Sequence, residues 1–298
     1  MGQLLRSVQV VIVNRERSQD TIECIRSVMQ SHSVAISVLV VDNGSRDDSV
    51  DRMKRLCPDA ELIRLPTNLG FAGGYNAGIE QSLASDAEYI FLLNNDTVIF
   101  PDTIHALVVA MQEWDVTVPK ILFHDSPSQV WAAGARWRFF PPSVIMIGYE
   151  RRDCPQYNVP RPLDYATGCA LMLKRQVIGT VGGFDPDYQN YQEDYDLCYR
   201  IRAAGFRIGY VPTARLLHKV SMTLGEGSPQ KWRFLGRNTV LFYRKHNRFP
   251  PWMLWSFLIW VSIRESLKCQ PTVLPDFWRG VREGLTALKC GKLEHASR

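Results

Sequence analysis

Phe91-Leu92-Leu93-Asn94-Asn95-Asp96-Thr97 is the stretch from which the rest of the chain is best read. The apolar run from Tyr89 to Leu93 predicts a buried strand. It ends on two amides and a carboxylate, and Pro101-Asp102 then opens a helical pattern. In an open α/β sheet, ligands bind outside the carboxyl ends of the strands. Asp96 is therefore offered where a metal or a phosphate would sit. The same residue also suits a turn or a helix cap. What favours the first reading is company. Three further stretches place carboxylates, amides and glycines at strand ends, and a fifth supplies a histidine.

Upstream, Val8 to Val13 is almost wholly apolar and β-branched, as in strands buried on both faces of a parallel sheet. It stops at Asn14-Arg15. Ser18 and Asp20 are N-cap candidates, Glu23 completes a capping box, and Ile22, Ile25, Val28 and Met29 give a helical stripe. A second strand, Val34 to Val41, ends at Asp42-Asn43-Gly44-Ser45. Ser45 and Asp48 repeat the capping-box pattern, so a helix is expected from about Arg46 to Leu56. Glu61 to Leu65 is a third strand. This β-α-β-α-β order predicts a parallel sheet with right-handed crossovers. Asn68 to Gly78 then holds four glycines in nine residues, expected as a loop that lets the backbone approach a ligand, with a helix to about Leu83 after it.

Downstream of Asp96 the pattern gives a helix over Thr103 to Glu113. Short apolar pieces between Val116 and Tyr165 suggest an antiparallel extension, and Ala170 to Leu173 a strand. Gly182-Gly183-Phe184-Asp185 is read as a loop. Tyr191 to Arg202 starts a helix on Glu193, Asp194 and Asp196. A last strand covers Arg207 to Val211, with His218 just beyond it. The Gly/Ser/Pro-rich segment Leu224 to Pro229 marks a boundary between a domain over 1–224 and a helical, basic and aromatic extension over 225–298.

The chain has 298 residues, 46% hydrophobic and 22% charged, with a net charge of +5. That composition builds a sizeable core. The mild positive charge fits anionic substrates or a membrane surface, and the dispersed basic residues argue against nucleic acid. Seven scattered cysteines without a CxxC pair predict reduced thiols in a cytosolic compartment. Met1 to Arg6 shows no cleavable signal pattern. The longest apolar run, Trp252 to Ile263, is shorter than the ~20 residues a spanning helix needs.

Each polar cluster has an ordinary structural reading beside the chemical one. Asp42 before Asn43-Gly44 suits a turn, or an acceptor for a nucleobase N–H. The glycine stretch matches neither the dinucleotide fingerprint nor a P-loop. Acids at a helix start offset its dipole, or hold a general base near an acceptor hydroxyl. Asp196 and Arg200 have the spacing of an i,i+4 ion pair. His218 is a core or surface group, or touches a metal or phosphate.

Taken in order, Val10 to Asn14, Val40 to Ser45, Asn68 to Gly78, Leu92 to Asp96, Gly182 to Asp185, Glu193 to Leu197 and His218 resemble the inverting family-2 glycosyltransferases of the GT-A fold. The likeness covers about residues 8 to 220 and leans toward bacterial rhamnosyltransferase-like and cell-surface polysaccharide enzymes. It implies a Rossmann-like, mostly parallel central sheet flanked by helices, with a C-terminal helical extension. It implies a nucleoside-diphosphate sugar donor, with dTDP-rhamnose or a UDP-sugar favoured, and a glycan or lipid-linked acceptor. Asp42 would hold the base, with Asn14, Asn68, Gly73, Asn76, Asn94 and Asn95 around the donor. Asp96 and His218 would bind Mg²⁺ or Mn²⁺, and Asp194, with Glu193, would carry the catalytic carboxylates. Asn94 departs from the first Asp of the family's D-x-D, leaving one fewer anionic contact.

Trp252, Trp255, Phe257 and Trp260, with Arg244, Lys245, Arg248 and Arg264, resemble an interfacial helix. They equally suit a helix packed on the protein or a homodimer face. The competing functions are a sugar-nucleotide pyrophosphorylase and a non-catalytic nucleotide-sugar-binding protein. The first wants a glycine-rich basic loop after the first strand, where Asn14-Arg15-Glu16-Arg17 has no glycine. The second is disfavoured by Asp96, Glu193, Asp194 and His218 being present together.

Overall fold

The β-branched run at the N-terminus forms β1 (Ser7–Asn14), the centre of a parallel array. The structure, a computed structural model, describes residues 6–138, 143–220, 228–246, 250–267 and 271–287. After β1 come α1 (Ser18–Met29), β2 (Ala35–Asp42), α2 (Ser49–Leu56), β3 (Glu61–Arg64), α3 (Gly70–Ala84), β4 (Tyr89–Asn94) and β5 (Thr97–Ile99). β1 pairs in parallel with β2 on one side and β4 on the other, and β2 pairs in parallel with β3. Asn14 stands opposite Asp42, and Val13 opposite Asn94. The polar ends of three strands therefore share one edge.

The chain continues through α4 (Thr103–Ala110), β6 (Val116–Phe123), β7 (Gln129–Ala132), β8 (Ala135–Arg138), β9 (Ser143–Met146), β10 (Arg151–Arg152), β11 (Arg161–Leu163), β12 (Ala170–Lys174), α5 (Arg175–Val181), α6 (Glu193–Ala203) and β13 (Ile208–His218). β12 runs antiparallel between β4 and β6. It hands the sheet on to β6, which pairs in parallel with β13. Val10, Ile12, Phe91, Leu93 and Met172 are buried at the centre.

Several local expectations are corrected. The glycine stretch is not a loop: α3 begins at Gly70 and runs straight through it. The glycines serve packing. A Cβ on Gly74 would stand 2.9 Å from Val13 Cγ1, and one on Gly78 would collide with Val11 Cγ1. Neither capping box forms. α1 is entered at Arg17 with no side-chain cap, because Asp20 and Glu23 both accept from Lys219 Nζ, at 2.8 and 2.7 Å. α2 starts at Ser49 rather than Arg46, since the Ser45 hydroxyl donates to Asp42 Oδ1 instead. β13 does not stop at Val211. Pro212 disguised its continuation, and the strand carries on past a register shift to end on His218. The sequence boundary at 224/225, Arg248, Cys269 and Cys290 lie outside the described residues.

The chain divides into two compact units. One comprises Met1–Arg136, Ile145–Gln189 and Asp194–Ser221, and contains the large sheet. The other comprises Trp137–Val144, Asn190–Glu193 and Met222–Arg298. Its helices are α7 (Pro229–Lys245), α8 (Pro251–Leu267) and α9 (Leu274–Ala287). They pack through Trp232, Val240, Leu258, Val261, Phe277 and Val281. α7 and α9 cross closely, because a Cβ on Gly236 would strike the Phe277 carbonyl and one on Gly280 the Arg233 carbonyl. Phe257 and Trp260 lean on this cluster, whereas Trp252 and Trp255 are exposed.

Candidate active site

At the edge shared by β1, β2 and β4, one hydrogen-bonded chain joins four predicted or adjacent residues. Asn95 Nδ2 donates to Thr21 Oγ1 at 3.0 Å, and Thr21 Oγ1 donates to Asn14 Oδ1 at 2.8 Å. Asn14 Nδ2 donates to Asp42 Oδ1 at 2.9 Å. Asp42 also accepts from the Ser45 hydroxyl and backbone N–H, at 2.5 and 3.1 Å. Asn14 and Asp42 are fully buried. These donors account for three of about four acceptor sites on the Asp42 carboxylate. Asn14, Asp42 and Asn95 thus brace the floor of the edge.

Above that floor opens a cleft of about 580 Å³, lined by Arg15, Ser45, Arg46, Arg64, Thr67 and Asn68. Of the expected donor residues only Asn68 lines it. The three arginines, which sequence reasoning passed over, follow or border the strand ends. Their planar, permanently charged forks suit a phosphate-bearing ligand. Asn76 is committed to the loop after α5: it donates to the Phe184 carbonyl at 2.7 Å and accepts from its N–H at 2.8 Å. Gly73 lies in α3, with Leu69 against the position of its missing Cβ. Asn94 Oδ1 accepts from the Tyr75 hydroxyl at 3.1 Å.

Asp96 is 5% exposed, and its Oδ1 stands 3.2 Å from His218 Nε2. The pairing of β5 with β13 sets His218 opposite Thr97. Trp131 meets the imidazole edge-on, with centroids 4.7 Å apart. Burial alone lowers the His218 pKa, but the neighbouring Cys169 sulfur and the Asp96 carboxylate outweigh it and raise it to about 10. In the absence of a competing cation the pair is an ion pair.

The second carboxylate centre is Asp194, at the start of α6. Its Oδ2 accepts from the Tyr165 hydroxyl at 2.5 Å and from the Gly168 N–H at 3.1 Å, and its Oδ1 from the Tyr195 N–H at 2.9 Å. Burial raises the Asp194 pKa, and the three donors pull the other way without cancelling it. The residue keeps partial surface exposure. A raised pKa and partial exposure are compatible with a general base. Glu193, beside it in sequence, is buried.

Backbone pairing brings the two centres to one strand end. Asn94 N–H donates to the Cys169 carbonyl at 2.8 Å, and Ala170 faces Leu93. Gly168 thus holds Asp194 one residue from Cys169, which itself neighbours His218. A Cβ on Gly168 would lie 3.0 Å from Phe71 and 3.6 Å from the Asp194 Cβ. Asp196 is structural. It takes Arg200 Nε at 2.7 Å, and Arg200 also donates to the Val181 and Gly183 carbonyls at 2.6 and 2.8 Å. Together with Asn76, that fixes the Gly182–Phe184 loop. Among the described residues no three His, Cys, Asp or Glu side chains form a metal cluster.

The fold is that of the GT-A glycosyltransferases. The structure superposes on that of GalNAc-T7 with UDP, GalNAc and Mn²⁺ at a TM-score of 0.62 and 16% identity, over 98% of this chain and 59% of that one. The model of glycosyl transferase family 2 matches residues 7–180, more than half of the chain, and the protein belongs to that family. Its members are inverting enzymes that use nucleotide sugars. The chain is 27% identical over 233 residues to an N-acetylglucosaminyl-diphospho-decaprenol L-rhamnosyltransferase of Mycobacterium tuberculosis, covering 70% of this chain and 74% of that one. It is 22% identical over 261 residues to the rhamnosyltransferase WbbL of Escherichia coli K12, covering 81% and 97%.

Proposed function

We propose that the protein transfers a 6-deoxyhexose of the rhamnose type from a nucleoside-diphosphate donor to a hydroxyl of a lipid-linked saccharide, on the cytoplasmic side of a membrane. The observation that carries the catalytic part is Asp194. It is a partly exposed carboxylate with a raised pKa, held by three donors beside the Asp96–His218 pair. The named rhamnosyltransferase relatives support the sugar and the acceptor class. The five described cysteines are all free, in keeping with a reducing compartment.

The donor's diphosphate enters past Arg15, Arg46 and Arg64 at the cleft mouth. The base enters the same cleft against Ser45 and Asn68, and the fully buried Asn14–Asp42 pair braces the ends of β1 and β2. Asp194 removes the proton from the acceptor hydroxyl as that oxygen attacks the anomeric carbon from the face opposite the diphosphate. The C1–diphosphate bond breaks, the nucleoside diphosphate leaves with the electron pair, and the anomeric centre inverts. The Gly182–Phe184 loop, fixed by Asn76 and Arg200, shapes the sugar pocket.

A divalent cation fits Asp96 and His218. They offer one carboxylate oxygen and one imidazole nitrogen, 3.2 Å apart and buried. Magnesium-type sites take one or two carboxylates plus substrate phosphates, so the absence of a third protein ligand is no obstacle. When bound, the cation supplies Lewis-acid stabilisation of the leaving diphosphate. His218 would hold the cation through an unprotonated Nε2, and Asp96 through a carboxylate oxygen.

The test is nucleoside-diphosphate release from a panel of dTDP-, UDP- and GDP-sugars, with and without a short lipid-linked acceptor, by wild type and Asp194→Asn. Acceptor-stimulated release from dTDP-rhamnose by wild type only is expected. Stimulated release from another donor overturns the sugar assignment, and equal release by the variant overturns the base.

A further inference from the structure

α8 presents apolar side chains on two opposite faces. Leu254, Leu258 and Val261 are buried against α7 and α9. On the other side Trp252, Trp255, Ile259, Ile263 and Leu267 are 53, 47, 55, 55 and 78% exposed. At about 100° per residue these five fall within a sector roughly 120° wide, and they extend ~22 Å along the axis. The other exposed positions of α8 are Pro251 and Ser266. Its two charges lie off the stripe. Glu265 is buried and ion-paired with Arg264 at 2.5 Å, and the Arg264 guanidinium lies over Trp260, 4.6 Å from the ring centroid. A helix apolar all round belongs inside a core or in lipid. No helix among the described residues is long and apolar enough to cross a membrane.

Charge identifies the occupant. Residues 225–298 hold 13 Lys and Arg against 5 Asp and Glu, while the whole chain is only +5. The net positive charge therefore falls in the segment that contains the stripe, and residues 1–224 are net acidic. Symmetric pairing with a second copy would set this basic segment against itself, which like charge opposes. An anionic headgroup surface complements it. Exposed tryptophans at one end of the stripe suit the boundary between headgroups and acyl chains.

We propose that this face of α8 docks in the plane of an anionic lipid bilayer, with Trp252, Trp255, Ile259, Ile263 and Leu267 entering the headgroup boundary and the net positive charge of the segment drawing it to lipid phosphates. The docking is separate from the catalytic reading and does not depend on it.

The test uses the full chain in flotation with vesicles of phosphatidylcholine alone or with about one third phosphatidylglycerol. Wild type is expected to float with the anionic vesicles, at least tenfold more weakly in about 0.5 M salt. Trp255→Glu/Ile259→Glu is expected to lose at least tenfold while keeping wild-type melting and wild-type donor hydrolysis without vesicles. Quenching of the wild type's tryptophan fluorescence by bromolipid vesicles supplies a readout that needs no variant. Failure of wild type to float, equal flotation of the double variant, or absence of quenching overturns the proposal. So does a lipid-free wild-type dimer that the double variant converts to monomer, since the stripe then belongs to a second copy.

Discussion

At the residue scale, Asp194 is set by two opposing influences. Burial lifts its pKa, while the Tyr165 hydroxyl and two backbone N–H groups hold it down. Asp194→Asn keeps the shape but removes the proton acceptor. Turnover should fall by about 10²–10⁴-fold with donor affinity near wild type, as single-turnover rates and donor titration would register. Tyr165→Phe deletes one of the donors that favour the charged form, so the pKa rises further. The acid limb of the pH profile of kcat/KM should move to higher pH, with the rate on the plateau largely kept. A limb that stays put, or moves to lower pH, removes Tyr165 from this role. Asp96 and His218 stood out as candidates in the sequence because each ends an apolar run, and Asp194 because it belongs to a carboxylate cluster at a helix start. Tyr165 and Gly168 were not. Their contact with Asp194 depends on the antiparallel placement of β12 beside β4, which leaves no local mark in the chain.

Elements were read best where burial alone dictates them. β1, β2 and β4 are apolar enough that only a doubly covered strand suits them. The glycine stretch misled because glycine usually signals a loop, whereas here it thins one face of α3 against β1. Gly78→Ala should therefore cost about 1–3 kcal/mol by overpacking, seen as a lower midpoint in urea with unchanged slope. A neutral substitution would show that Val11 gives way. Local capping patterns also misled, since Asp20, Glu23 and Ser45 found longer-range partners. Ahead of α6 a further element-scale device appears. Gln189, Tyr191 and Gln192 adopt left-handed φ of 58, 67 and 68°, a conformation that non-glycine residues hold only under constraint. Asn238 Nδ2 bonds the Asn190 and Tyr191 carbonyls at 2.9 and 2.8 Å, and Gln192 Nε2 bonds Thr239 Oγ1 at 3.0 Å. Asn238→Ala should release this run and cost about 1–3 kcal/mol for the buried carbonyl partners lost, seen as a lower midpoint in urea. An unchanged midpoint would show that the run holds itself.

At the scale of the whole molecule the polar strand ends of β1, β2 and β4 form one edge, and β12 and β13 bring the Asp194 and His218 ends to it. That convergence, rather than any single motif, is what the sequence order foreshadowed. The central claim is that this edge seats a nucleoside diphosphate on a cation held by Asp96 and His218. A ligand that binds only the folded state raises stability by about RT ln(1 + [L]/Kd). The direct measurement is therefore the melting temperature of wild type and Asp96→Ala with dTDP, UDP or GDP, each with Mn²⁺, Mg²⁺ or EDTA. A rise is expected for wild type with dTDP and the metal, a much smaller one in EDTA, and no metal-dependent rise in Asp96→Ala. No rise with any nucleotide, or the same rise in EDTA and in Asp96→Ala, would contradict it.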